Sequence, residues 1–135
     1  MNKYVLQLIS ISCMVLFSGC TLFEVKNNHL RPEDFATQLI KDGVRVDAIR
    51  PLSPAPISAT AAVELKIGRS NIGVYKFDTS IAVQKKRLER IKKSKRIFFN
   101  GIPYPVYEVS GSFIVVGLDK NKEKARILES LRNFK

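Results

Sequence analysis

Three prolines fall within nine residues: Pro51, Pro54 and Pro56, between Arg50 and Ser58. Each locks φ and removes an amide donor, so the stretch suits neither a helix nor a central strand. It reads as a stiff, extended connector, and the periodic segments must lie on either side of it. Pro51-Leu52-Ser53-Pro54 also matches a PxxP pattern. A structural connector is the better account, because nothing nearby points to a partner.

Before the connector, Pro32 at a first helical position is followed by Glu33 and Asp34, and Gly43 supplies a stop, which predicts a helix over about 32–42. Val44, Val46 and Ala48 then alternate with charged residues, the period of a strand. After the connector, Ala61 to Ile67 and Ile72 to Phe77 form a hairpin around Gly68-Arg69-Ser70-Asn71. Asp78, Thr79 and Ser80 are capping residues for a helix reaching about Lys93, with Ile81, Leu88 and Ile91 as its narrow apolar stripe. Beyond Asn100-Gly101, a favoured turn, the return segment Ile102 to Pro105 holds two prolines and must be an edge or a loop. Val106 to Val109 resumes strand character, and the unbroken run Phe113 to Leu118 suggests a strand covered on both faces. Asp119 or Asn121 then caps a helix carrying Ile127, Leu131 and Phe134.

The expected order is α-β-β-β-α-β-β-β-α. It implies an α+β fold, a mainly antiparallel sheet with about three helices packed on one face. The passage from the first hairpin through the middle helix suits a right-handed β-α-β crossover. Residues 31–135 are expected to form a single domain, large enough to bury a core without staples.

The first twenty residues speak to location. Lys3 precedes an apolar stretch from Val5 to Phe17, which ends in Leu16-Phe17-Ser18-Gly19-Cys20. A positive start, an apolar centre and small residues directly before a cysteine resemble the lipobox leader of bacterial lipoprotein precursors, over these twenty residues only. The resemblance implies removal of residues 1–19 and lipidation of Cys20, so that membrane attachment runs through lipid on that residue. It further implies the outer membrane, facing the periplasm, if the source has two membranes, because Thr21 is not the aspartate associated with inner-membrane retention. An uncleaved spanning anchor competes, since no charge occurs between Lys3 and Glu24. Soluble export is the poorer explanation, as no alanine precedes Ala36 to make an A-x-A cleavage site. Residues 20–30, with Asn27, Asn28 and His29, read as a lipidated cysteine and a solvated tether reaching at most about 35 Å.

Chemistry is constrained mostly by exclusion. Two cysteines and one histidine build neither a disulfide scaffold nor a His-rich metal site, and with Cys20 lipidated, Cys/His catalysis has no nucleophile. No Gly-rich phosphate loop occurs, and no metal site or cofactor is expected. The carboxylates Glu64, Asp78, Glu108 and Asp119 leave open a small envelope hydrolase, should the fold unite a pair of them.

The strongest positive feature lies within residues 85–96, which carry eight of the chain's 23 Lys and Arg against a single acid, Glu89. Lys85, Lys86, Arg87, Arg90, Lys92, Lys93, Lys95 and Arg96 are the candidate binding residues. As a helix with its apolar stripe against the sheet, this segment puts cations on its outer face and at its C-terminal end. A solvated face without a partner, anionic membrane headgroups, an acidic envelope polymer and a protein partner are the competing readings. Nucleic acid is not expected, because export removes it and no aromatic residues interleave with the cations. Phe98, Phe99, Tyr104, Tyr107 and Phe113 follow directly, either as cross-strand core packing or as an exposed rim. The expectation is a noncatalytic, lipid-anchored binding or assembly module.

Overall fold

The computed structural model describes residues 25–135, so the expected leader and Cys20 lie outside the described residues. The fold is α+β. In chain order it comprises α1 (Pro32–Lys41), β1 (Ala48–Pro51), a 3₁₀ turn (Ala55–Ile57), β2 (Ala61–Ile67), β3 (Ser70–Lys76) and α2 (Ala82–Ser94). These are followed by β4 (Arg96–Phe99), β5 (Ile102–Pro105), β6 (Val109–Ser110), β7 (Phe113–Val116) and α3 (Lys124–Arg132). Five strands form an antiparallel sheet in the order β1-β2-β3-β7-β6, and β4 and β5 form a separate hairpin.

Period-2 alternation sets the sheet's two faces. Opposed pairs Val63 with Val74, Leu65 with Ile72 and Val74 with Val115 put one set of apolar side chains on a single side. There α1 and α3 bury Phe35, Leu39, Ile127 and Leu131 against them. Tyr75, Ile114 and Val116 point the other way and meet Leu88 and Ile91 of α2 and Ile97 of β4. Helices therefore cover both faces, contrary to the one-face expectation. The physical reason is β7, all four of whose residues are buried and which needs an apolar cover on each side.

The expected β-α-β crossover is also absent. β7, antiparallel to β3, is the strand that pairs with it, while β4 leaves the sheet to pair with β5. Pro103 and Pro105 deny β5 the amide donors that a central position requires. The strand read over Val44 to Ala48 starts only at Ala48, although Val44 is buried. The extended connector is instead folded compactly: Pro51 closes edge strand β1, and Pro56 sits in the 3₁₀ turn, where the Pro54 carbonyl accepts from Ala59 N at 3.0 Å.

Neither expected cap forms as anticipated. Helix α2 begins after Ile81 without a side-chain cap, and Ile81 is exposed, outside the stripe of Leu88 and Ile91. Asp78 spends its carboxylate on Ser80 and Asn28, closing the preceding turn. Asn121 likewise accepts from Glu123 N in the turn before α3, and Asp119 bonds the Tyr107 hydroxyl.

The expected tether is part of the fold. Asn27 is 2% exposed, its amide nitrogen donating to Ser110 O and Phe134 O, both at 3.0 Å, while Oδ1 accepts from Ser112 N at 2.8 Å. Asn28 Oδ1 accepts from Thr79 N and from the Ser112 hydroxyl. The folded unit therefore starts by Asn27 rather than at residue 31, and both core clusters lie within residues 25–135.

Candidate functional site: a split basic helix and its cleft

Helix α2 is built from strong helix formers, and only Leu88 and Ile91 are buried. Its last-turn cations, Lys92 and Lys93, complement the helix dipole. Lys95 ends it in the left-handed conformation, φ 54°, donating its amide to Ile91 O at 2.8 Å. That residue, expected to bind, thus also has a structural part.

With 3.6 residues per turn, the run does not form one uniform face. Arg87 and Arg90 flank one side of α2, and with Lys93 and Arg96 they line an open cleft of about 690 Å³. Its apolar walls are Ile91 and Ile97 beneath, Ile57 from the 3₁₀ turn and Phe98 from β4. Phe98 is 53% exposed, and the Arg96 guanidinium lies over its ring, 5.7 Å from the centroid. Gln84 fastens the 3₁₀ segment to the helix, donating to Ser58 O at 3.0 Å. All three arginines of the run line this cleft, but only one of its five lysines does.

On the opposite flank, Lys85 and Lys92 border a smaller hollow of about 240 Å³, together with Glu89, Leu88, Val109 and Val25. Val25 thus sits beside α2. Lys86 lines neither hollow. The four ion pairs among the described residues use Arg45, Arg50, Arg126 and Arg132, so no cation of residues 85–96 is ion-paired among them.

The aromatic cluster divides. Phe113 is core, 5.0 Å from Phe134 between ring centroids. Phe99 packs on Tyr75 and, edge to face at 5.1 Å, on Tyr104. Phe98, Tyr104 and Tyr107 are exposed, with Lys124 Nζ 3.5 Å from the centre of the Tyr107 ring.

Each candidate carboxylate has a partner of its own. Glu64 faces Arg50, Glu108 takes Arg132 at 2.8 Å, and Asp119 is bound to Tyr107. Hydrogen bonds from Ser80 and Asn28 hold Asp78 below its ordinary value, the reverse of what a general acid needs. Among the described residues no group of His, Cys, Asp and Glu is placed to hold a metal ion, and no helix is long and apolar enough to cross a membrane.

Sequence reasoning missed Ile57, Val25 and Gln84 as parts of these surfaces. Ile57 was hidden in a proline segment without periodicity, and nothing local marks Val25. No family model matches this chain, and no curated protein or solved structure shows significant similarity to it.

Proposed function

We propose that this chain is a lipid-anchored protein of the bacterial cell envelope, held by lipid on Cys20, that acts as a noncatalytic binding or assembly module through α2. In a source with two membranes it would face the periplasm from the outer membrane. The observation that supports the binding role is that none of the eight clustered cations is ion-paired among the described residues, while four of the six arginines elsewhere in the chain are. A surface of this kind favours an anionic partner, and near a charged bilayer each Lys or Arg contributes about 1 kcal/mol. The lipid supplies the attachment, at about 0.8 kcal/mol per buried CH₂, and α2 supplies orientation and partner capture. Because screening confines the charges to about 8 Å, the helix acts only in near contact.

Two measurements test the two halves. Labelled palmitate should enter the native protein and not Cys20→Ser; equal labelling would sink the anchor. In-cell crosslinking from Lys86 and Lys93 should capture an anionic component. Replacing Lys85, Lys86, Lys92 and Lys93 by Glu should change that capture and leave membrane fractionation as it was. Loss of attachment in that variant would contradict the division of labour.

A further inference from the structure

We infer that the cleft between α2, the 3₁₀ turn and β4 is a binding site for an anionic phospholipid of the bilayer, its phosphate on the arginines and the start of its acyl chain on the apolar walls. This deepens the binding role proposed for α2 and rests on it. Three observations converge.

The first is the sorting of cation types. Arg87, Arg90 and Arg96 all line the cleft, whereas of the five lysines only Lys93 does and Lys85, Lys86, Lys92 and Lys95 lie elsewhere. A guanidinium presents a planar fork of donors that matches a phosphate bidentately, whereas an ammonium is a strongly hydrated point charge. A general attraction to negative charge would not distinguish the two.

The second is the mixed lining. Ile57, Ile91, Ile97 and Phe98 make the site apolar beneath a cationic rim, and its volume of about 690 Å³ is within the range of small-molecule sites. A purely polar anion would leave the apolar walls uncovered, and a neutral amphiphile would leave the guanidinium groups unmatched. The ligand must carry both parts.

The third is position. Val25, two residues before the buried Asn27, borders the opposite flank of α2, so only about one helix diameter, 10–12 Å, separates it from the cleft. With Asn27 already fixed in the fold, the stretch back to Cys20 spans at most about 25 Å. A domain anchored through Cys20 keeps this cleft within reach of the headgroups.

The site can be probed without the anchor, using residues 20–135 with Cys20→Ser, which contain both core clusters. Octyl phosphate as a monomer should bind with chemical-shift changes centred on Ile57, Ile97 and Phe98, while inorganic phosphate and octyl glucoside should bind at least about tenfold more weakly. The protein should sediment with phosphatidylcholine vesicles containing phosphatidylglycerol, and not with phosphatidylcholine alone. Arg87→Gln with Arg90→Gln, or Phe98→Ser alone, should weaken octyl phosphate about tenfold. Lys85→Gln with Lys92→Gln, on the far flank of the helix, should weaken it by less than about twofold, and circular dichroism would check that each variant is folded.

Equal loss in the lysine pair, or equal binding of inorganic phosphate, would overturn the cleft as the site. Octyl phosphate binding without vesicle sedimentation would overturn the bilayer lipid as its occupant. Capture of an acidic protein in cells, with no octyl phosphate binding, would uphold the module reading and remove this one; unlabelled Cys20 with intact octyl phosphate binding would do the reverse for the anchor.

Discussion

Asn27 joins parts of the sequence 83 and 107 residues apart through Ser110 and Phe134. Gly111 makes this possible, since its φ is +58° and a Cβ there would stand 2.1 Å from Asn27 Oδ1. Gly111→Ala should therefore be among the most damaging single changes, lowering the free energy of chemical unfolding by about 3 kcal/mol or more, through backbone strain together with orphaned buried groups. Tyr75 offers a test by pH. Burial, with the nearby Glu64 charge adding to it, pushes its hydroxyl up to about 12. An unfolded tyrosine releases its proton near 10, so the folded state binds the extra proton between those values. Its contribution to stability should then be fully present below pH 10 and be lost as the pH rises toward about 12. Tyr75→Phe should show a shallower decline than the native protein in alkaline denaturation. Little of this was legible in the sequence. Asn27-Asn28-His29 looked like solvated linker because polar residues without periodicity carry no sign of a distant partner.

Elements were more readable, for reasons that differ from one to the next. The β2–β3 hairpin followed from strict alternation, because slipping by one residue would turn Leu65 and Ile72 out of the core. The turn proved tighter than expected, with Ser70 and Asn71 already in β3. In α2 the cationic composition was plain from the sequence, but its division was not. Which arginine meets Ile57 depends on how the proline segment folds back, and local pattern says nothing of that. The helix end supplies a clean prediction. Lys95 is a side-chain-bearing residue held at positive φ, where glycine is favoured. Lys95→Gly should raise stability by about 1 kcal/mol in thermal or urea unfolding, and it should leave octyl phosphate affinity unchanged, since Lys95 does not line the cleft.

At the scale of the whole molecule, the class of fold was accessible and the arrangement of layers was not. The run Phe113 to Val116 announced a strand covered twice, yet two short amphipathic helices and one basic helix did not reveal that the basic one takes a face of its own. Leu88 and Ile91 are few, and the second layer is completed by Ile97, Val106 and Phe77 from outside the helix. The domain limit moved for a related reason. A chain beginning at Arg31 would lose the side chains that satisfy Ser110, Ser112 and Phe134. It should melt on the order of 10–15 °C below one beginning at Thr21, as read by calorimetry. The amide of Asn27 also has a mechanical meaning. Any pull transmitted along the preceding segment is delivered at once to the β6–β7 turn at the sheet's edge and to Phe134 beyond α3. A load on that segment is therefore shared between edge strand β6 and the segment after α3, rather than peeling one strand alone.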